Sequence, residues 1–270
     1  MEKVKLKIGK CKFNHGIHQT NWKEDQVAVE KPLRILIQNE EFAVIMRTPG
    51  RDLYLVLGLL YSEGIIQSYS DIQSARPCEL FEDVFLVNLE VKAFQDFERK
   101  EQKKNLISNS SCGLCGSTNI EFIDSSSTSL NSDPLKIAAE RIQDMNLAFN
   151  RHQVGFSLTG GLHGAGLFSP QGELKFIAED IGRHNAVDKI VGHALHEGRL
   201  PFSSSVLFLS GRVSYELMQK AIRSRIQLVC AIGAPSSLAI ELGEKHEVGL
   251  IGFVKKREFN IYCGDNLIGE

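Results

Sequence analysis

The pattern of hydrophobic and polar positions divides the chain into two parts with a polar tract between them. The first part opens with a charged, weakly patterned stretch, residues 1–25, and then contains strand-like runs and one compact apolar run. That apolar run predicts a helix, with Asp52 as its N-cap and Gly64 as its stop. The predicted elements are strands over residues 27–37, 41–47 and 83–91, a hairpin turn at 38–40, and a helix over 53–62.

The second part alternates strands and helices, and Pro134 is placed to open its first helix. This alternation predicts a layered α/β domain over residues 134–270, with parallel strands at its centre, after a smaller α+β part over residues 1–133. The predicted strands cover residues 154–159, 165–169, 174–178, 205–209, 228–232, 248–254 and 259–263. The predicted helices cover residues 135–149, 185–196, 213–224 and 236–244.

The polar tract, residues 93–134, carries a Cys-x-x-Cys pair, Cys112 and Cys115. Its flanks are poor in apolar residues, so we expect a mobile arm that presents two thiols. A nucleophilic thiolate that must reach distant partners explains both the cysteines and the mobility. A zinc site would need two further ligands, and a thioredoxin-like pair would follow a strand directly. Two incidental thiols in a solvated loop would run against the burial habit of cysteine. We expect no bound zinc.

Composition narrows the classes of function. The chain has 270 residues, 43% of them hydrophobic and 24% charged, and a formal net charge of −2. These values are ordinary for a soluble globular protein and give no basic field for nucleic acid. Residues 1–7 do not form a signal peptide, and the longest apolar run, residues 53–61, is too short to span a bilayer. Six cysteines without an export signal indicate reduced thiols in the cytoplasm, with Cys230 as inert core.

Several predicted strands end in residues that suit an anion. Ligands of α/β sheets bind beyond the carboxyl ends of the strands, where helices begin. Gly182, Arg183 and His184 follow one strand in this way, and Gly211 and Arg212 follow another. We expect the two arginines to meet phosphate oxygens there.

Each candidate also has a purely structural explanation. Asp180 or Asn185 would cap the helix that follows, with Arg183 solvated. His163, in a glycine-rich turn that does not fit the dinucleotide-binding order, would be catalytic, ligand-binding or merely hydrogen-bonded. The basic turn at residues 255–257 would be a solvated surface.

Six ordered segments resemble those of the FdhD family: residues 60–66, 110–116, 159–165, 179–189, 210–216 and 252–255. The similarity runs from about residue 27 to 263. It implies a sulfurtransferase, accessory to formate dehydrogenase, that accepts sulfur from a cysteine desulfurase as a persulfide. The sulfur would pass to the molybdenum bis(molybdopterin guanine dinucleotide) cofactor, bound through its guanine nucleotide as a substrate. It also implies a cytidine-deaminase-like core without zinc, and a homodimer.

The resemblance carries residue assignments with it. Cys112 matches the persulfide cysteine, and Cys115 matches the second cysteine of the pair. Residues 256–258 depart from the family, in which two glycines and an arginine are common. The stretch implied for cofactor binding consists of Phe253, Val254, Lys255, Lys256, Arg257 and Glu258. Added to it are His163, from the glycine-rich turn, and the candidates at the strand ends, Gly182, Arg183, His184, Gly211 and Arg212.

Two rival functions are open to test. A zinc-dependent nucleoside deaminase would share the implied fold, but it needs His-x-Glu or Cys-x-Glu followed by Pro-Cys-x-x-Cys, and neither occurs in the sequence. A non-catalytic chaperone of the cofactor would bind the nucleotide without needing the thiols. Replacing Cys112 while nucleotide binding is retained separates the chaperone from the sulfurtransferase.

Overall fold

The computed structural model describes residues 3–14, 17–98, 135–202 and 204–269. Its strands are β1 (Lys3–Asn14), β2 (Ile17–Ala28), β3 (Lys31–Ile37), β4 (Glu40–Arg47), β5 (Ile72–Pro77), β6 (Val84–Leu89), β7 (Ile137–Ala138), β8 (His163–Phe168), β9 (Leu174–Asp180), β10 (Val206–Leu209), β11 (Leu228–Ala231), β12 (Gly249–Gly252), β13 (Asn260–Cys263) and β14 (Ile268–Gly269). Its helices are α1 (Asp52–Ser62), α2 (residues 91–98), α3 (Ala139–His152), α4 (Val154–Thr159), α5 (Arg183–His196), α6 (Tyr215–Arg223) and α7 (Ser237–Lys245).

A six-stranded sheet forms the centre of the second part, in the order β13-β12-β11-β10-β8-β9. Its middle strands β10, β11 and β12 are parallel and fully buried, as their unbroken apolar sequences require. One face packs against α5, α6 and α7, and the other packs against α3. The predicted layered arrangement with parallel central strands is therefore confirmed.

A four-stranded sheet, β4-β3-β6-β5, forms the first part and packs against α1. The predicted β3–β4 hairpin is confirmed, and Gln38 and Asn39 turn it with positive φ angles of 51° and 69°. The end of α1 is also as predicted. Gly64 has a φ of 74°, and the amides of Gly64 and Ile65 donate to the carbonyls of Tyr61 and Leu60.

Helix α1 joins the two parts because it lies between the four-stranded sheet and α5. Two glycines make the helix–helix approach close. A Cβ on Gly58 would lie 1.9 Å from the carbonyl oxygen of Asp188, and a Cβ on Gly192 would lie 1.8 Å from that of Tyr54. The backbones of α1 and α5 therefore touch directly, which only glycine permits at these positions.

Six local predictions are wrong. The predicted strand over residues 27–37 is interrupted, because β2 ends at Ala28 and β3 begins at Lys31. Residues 163–166, expected in a glycine-rich turn, belong to strand β8. Residues 154–159 form helix α4 and not a strand, because the Glu179 carboxylate accepts hydrogen bonds from two amides of its first turn, those of Gly155 and Phe156. Residues 135–138 are extended, with the short strand β7 paired to β14, so the helix begins only at Ala139. Residues 93–98, assigned to the mobile tract, are helical. Asp52 is the first residue of α1 and pairs with Arg47 instead of capping.

The stretch 1–25 showed little pattern in the sequence, but its described residues, 3–14 and 17–25, contribute most of a long antiparallel hairpin, β1–β2. Val4 and Leu6 alternate with lysines along β1, and both apolar side chains remain exposed. Among the described residues, no helix has the length and apolar character needed to cross a membrane. The proposed boundary between residues 133 and 134 lies outside the described residues.

Candidate functional site

The candidate residues lie at the end of the six-stranded sheet where β9, β10, β11 and β12 finish and β8 begins. We call this end of the sheet the edge. Strand β8 runs antiparallel to β9 and β10, so its first residue lies beside the last residues of its neighbours. His163 pairs in register with Asp180 across β8 and β9. Helices α5, α6 and α7 each begin just after a strand that ends at this edge. Three helix N-termini, with their partial positive charges, therefore point toward it.

The loop between β9 and α5 is held by the buried carboxylate of Asp180. Oδ1 of Asp180 accepts the amide of Gly182 at 2.9 Å and Nδ2 of Asn185 at 2.9 Å. Gly182 is the N-cap residue of α5, and Arg183 begins the helix. No side chain caps α5, so the sequence alternative of a cap by Asp180 or Asn185 is wrong. Asp180 instead holds the loop before the helix through the Gly182 amide.

Three of the candidate residues meet at this point of the edge. A Cβ built on Gly211 would lie 3.3 Å from Nδ1 of His163 and 3.8 Å from Cδ of Arg183. The Nε atom of Arg183 is buried and has no hydrogen-bond partner in the part of the chain that the structure describes. A buried guanidinium donor is costly without an acceptor, so this N–H group is suited to bind a ligand oxygen.

The two histidines of the edge are held neutral by their surroundings. Burial lowers the pKa of His163, and the nearby Arg183 charge lowers it further. Burial also lowers the pKa of His184 to about 4, with further lowering by Lys220 and Arg183, while Glu216 acts in the opposite direction. Near neutral pH both rings are therefore uncharged and offer one donor and one acceptor nitrogen each.

The loops after β10, β11 and β12 stack beside one another. Gly233 lies so close to the loop after β10 that a Cβ there would be 2.7 Å from the amide nitrogen of Arg212. The amide of Phe253 donates to the carbonyl of Gly233 at 3.2 Å. Phe253 has a φ of 52° and is 40% exposed, and Arg212 is also exposed. The edge thus places an aromatic face and a guanidinium group on adjacent loops.

The rest of the stretch implied for cofactor binding, residues 254–258, is partly buried and partly exposed. Val254 is buried in the core beside α3 and does not face the solvent. Lys255 pairs with Glu258 at 2.7 Å across an exposed turn, and this pair lowers the pKa of the Glu258 carboxyl. The exposed residues of the stretch are Phe253, Lys255, Lys256, Arg257 and Glu258.

Sequence reasoning missed the contribution of the first part of the chain to this edge. Thr48, from the loop between β4 and α1, donates its amide to Asp180 and accepts the amide of Ile181 on its hydroxyl. Lys189 donates to Asp180 at 2.6 Å. The signal available in the sequence was a lysine on the otherwise apolar face of α5, which requires a buried partner.

The cysteines fall into two groups. Cys112 and Cys115 lie outside the described residues. Cys230 is fully buried as predicted, and burial raises its thiol pKa far above the ordinary value. Within residues 3–14, 17–98, 135–202 and 204–269, no group of three or more histidine, cysteine, aspartate or glutamate side chains is arranged to hold a metal ion.

Comparisons with known proteins agree with one another. The chain is 41% identical over 262 residues to the sulfur carrier protein FdhD of Sulfolobus acidocaldarius, covering 97% of both chains. It is 44% identical over 241 residues to the protein of the same name from Saccharolobus solfataricus, covering 88% of this chain and 89% of that one.

A crystal structure assigned as a formate dehydrogenase accessory protein, from Desulfotalea psychrophila, has the same fold. The TM-score is 0.72 at 22% identity, over 98% of this chain and 99% of that chain. The sequence model of the FdhD/NarQ family matches residues 28–268, nearly the whole of the described structure. The chain therefore belongs to the FdhD/NarQ family.

Proposed function

We propose that this protein is a sulfur carrier that serves formate dehydrogenase. The observation that carries the proposal is the family match over residues 28–268, together with relatives of similar length that are named sulfur carrier proteins. The protein takes sulfur from a cysteine desulfurase and delivers it to the molybdenum bis(molybdopterin guanine dinucleotide) cofactor before insertion into the dehydrogenase. The cofactor is a bound substrate in this scheme and not a resident group.

Cys112 is the proposed sulfur carrier. Its thiolate attacks the terminal sulfur of the desulfurase persulfide, the desulfurase thiolate leaves, and Cys112 then holds the transferred sulfur as a persulfide. Cys115, three residues later, resolves, relays or protects that sulfur. Of the four cysteines in the described residues, Cys230 is buried and burial raises the pKa of Cys263 to about 11, so neither is suited to be a nucleophile at neutral pH.

The sheet edge is the proposed binding site for the guanine nucleotide of the cofactor. The unpartnered Nε of Arg183, the helix N-termini and the exposed Arg212 supply positive character for phosphate oxygens. His163, His184, Gly182 and Gly211 line the same edge. Phe253 offers a face for a flat base, while Lys255 is already paired with Glu258 and adds a weaker, screened contact.

The finer assignments that follow from the family are part of the same proposal. The core is of the cytidine-deaminase type without zinc, supported by a mixed sheet covered by helices on both faces. The protein acts in the cytoplasm as a homodimer, with a cysteine desulfurase and formate dehydrogenase as its protein partners. The division into parts 1–133 and 134–270 belongs here as well.

Mass spectrometry after incubation with a cysteine desulfurase and cysteine tests the carrier role. The wild-type protein should gain one sulfur atom on the peptide that contains Cys112, and Cys112→Ser should not. Cys11→Ser, which removes an exposed thiol from β1, is the matched control and should load normally. Full loading and full dehydrogenase maturation with Cys112→Ser would refute the assignment.

Calorimetric titration with guanosine diphosphate tests the binding edge. Arg183→Ala and Arg212→Ala should each weaken binding about tenfold or more, the effect of losing a charge-assisted contact worth about 1.5–3 kcal/mol. Arg76→Ala, on the exposed surface of β5, is the matched control. Persulfide formation on Cys112 should survive all three changes. Unchanged affinity in both edge variants would remove the arginines from the site.

Calorimetric titration with the nucleotide, combined with an assay of dehydrogenase maturation, separates the carrier from a non-catalytic chaperone. A chaperone would bind the nucleotide and mature the dehydrogenase equally well with Cys112→Ala. The carrier retains nucleotide binding in this variant but loses maturation. Elemental analysis addresses the deaminase alternative, because one tightly held zinc per chain would support it.

A further inference from the structure

Asp180 carries an unusual number of hydrogen bonds for one buried carboxylate. Its side chain is fully buried and accepts four donors. Oδ1 accepts the Gly182 amide and Asn185 Nδ2, both at 2.9 Å. Oδ2 accepts the Thr48 amide at 3.2 Å and Lys189 Nζ at 2.6 Å. Two of the four donors are backbone amides, so this carboxylate fixes the path of the chain as well as the position of side chains.

Thr48 connects this carboxylate to the first part of the molecule through three of its own atoms. Besides its amide, its Oγ1 accepts the Ile181 amide at 3.2 Å, and its carbonyl oxygen accepts Lys189 Nζ at 3.0 Å. The neighbouring carbonyl of Met46 accepts Asn185 Nδ2 at 2.8 Å. Each residue from Asp180 to Gly182, as well as Asn185, is thus hydrogen-bonded to this network, and the loop has little freedom to move.

The charge of Asp180 makes Lys189 more than a packing residue. A carboxylate at the start of α5 stands where an anionic ligand is proposed to bind, and without compensation it would repel that ligand. Lys189, only 2% exposed, neutralises it from inside the protein. Arg183 and the helix N-terminus can then present positive charge outward.

We propose that Asp180, Lys189 and Thr48 form a positioning unit that sets the anion affinity of the α5 N-terminus without touching the ligand. This inference rests on the proposed nucleotide site. It adds that the first part of the chain, through Thr48, influences binding without contacting the ligand. It also adds that Lys189 acts by cancelling the Asp180 charge.

A role in packing alone gives different expectations. If the three residues only stabilised the fold, nucleotide affinity would follow stability in every variant. Leu33→Ala provides that reference, because Leu33 is buried in the core of the four-stranded sheet and contributes nothing to the edge. It should lower the melting temperature and leave the affinity for guanosine diphosphate within about twofold of wild type.

Calorimetric titration with guanosine diphosphate on folded, full-length variants provides the charge test. Lys189→Met, which leaves the Asp180 carboxylate uncompensated, should weaken binding at least tenfold. The double variant Asp180→Asn with Lys189→Met removes both charges and should return to within about threefold of wild type. A double variant that binds more weakly than Lys189→Met would overturn the charge argument, and so would wild-type affinity in Lys189→Met.

Thr48 provides a second test that keeps all charges in place. Thr48→Val removes the hydroxyl acceptor for the Ile181 amide and should weaken binding about three- to tenfold. Thr48→Ser retains that acceptor and should bind like wild type. Equal affinity of the two variants would remove Thr48 from the unit. Failure of the wild-type protein itself to bind guanosine diphosphate would instead refute the proposed nucleotide site.

Discussion

Two buried aspartate–lysine pairs lie around helix α5, and they use the same chemistry for different tasks. Asp180, just before the helix, accepts two backbone amides in addition to Lys189 and Asn185. Asp188, in the middle of the helix, accepts hydrogen bonds only from side chains. Lys220 Nζ donates to both of its carboxylate oxygens, and Ser62 Oγ donates to one of them. The first pair therefore fixes a loop at the sheet edge, and the second fixes the contact of α5 with α6 and α1.

The difference shows how to distinguish a buried charge that shapes a site from one that holds a core. A carboxylate that accepts backbone amides determines where the chain runs, whereas one that accepts side chains determines how elements pack. Burial raises the pKa of Asp188, and the Lys220 and Ser62 contacts oppose that shift. Neither pair is on the surface, so neither is expected to be screened strongly by salt.

Breaking the second pair should have the largest effect on stability. Asp188→Ala leaves the buried Lys220 ammonium without its carboxylate and should lower the free energy of unfolding by about 3–5 kcal/mol. Urea denaturation measures this. The double variant Asp188→Leu with Lys220→Met removes both charges and should recover most of the loss. A loss below about 1 kcal/mol for the single variant would contradict the importance of the pair.

The backbone contact behind Asp188 should come next. Gly58→Ala forces a methyl group against the Asp188 carbonyl, so α1 and α5 must separate. The expected cost is about 1–3 kcal/mol, the range for overpacking. Gly269→Ala, where a methyl group meets open space, is the matched control. Equal melting temperatures for the two variants would mean that the helices separate without cost.

The hydroxyl of Ser62 gives a smaller and more local test. Ser62→Ala removes one of the three hydrogen bonds of Asp188 and should cost about 1 kcal/mol. Ser70→Ala, in an exposed turn, serves as the control and should change stability by less than about 0.5 kcal/mol. Thermal unfolding of the two variants in parallel distinguishes the effects.

His184, near the start of α5, gives the smallest effect and one that depends on pH. Its folded pKa of about 4 lies below the ordinary value of 6.5, so acid protonates the unfolded chain first. The stability that the neutral ring contributes is complete above pH 6.5 and is lost as the pH falls toward 4.

His184→Gln should therefore flatten the fall in stability between pH 6.5 and 4. Partial exposure of the ring keeps the effect below about 1 kcal/mol at pH 5.5. At pH 8, where the histidine is neutral in both states, the two proteins should show the same dependence on pH. Urea midpoints at four pH values suffice. Parallel curves throughout the acid range would show that the His184 pKa is not lowered.

Helices and strands that are determined by their own local sequence were predictable. Helices α5 and α7 and strands β10 and β11 begin and end within two residues of their predicted bounds, because apolar periodicity is a local signal. Helix α4 was not predictable. Its alternating Val154, Phe156 and Leu158 are typical of a strand, and the carboxylate that binds its first turn comes from Glu179, more than twenty residues later.

The residues of the candidate site also divide into those with a local signal in the sequence and those that depend on distant contacts. The residues Arg183 and Gly211 were predicted because each follows a recognisable strand, whereas Phe253 was implied by the family resemblance. The structure brings all three to one edge. Thr48 was not, since its partners Asp180 and Ile181 lie more than 130 residues away. A hydrogen bond between such distant positions leaves no local trace in one sequence. Whether these residues bind the cofactor stays a prediction.

The edge is built from segments that are far apart in the sequence, which has a consequence for the protein during its synthesis. Its parts come from the loop at Thr48, the starts of β8 and α5, and the loops after β10, β11 and β12. The last of these, the loop at Phe253, lies more than 200 residues after Thr48 in the sequence. A chain synthesised only as far as β11 therefore lacks part of the edge, and we predict that it binds guanosine diphosphate more weakly than a chain that includes Phe253.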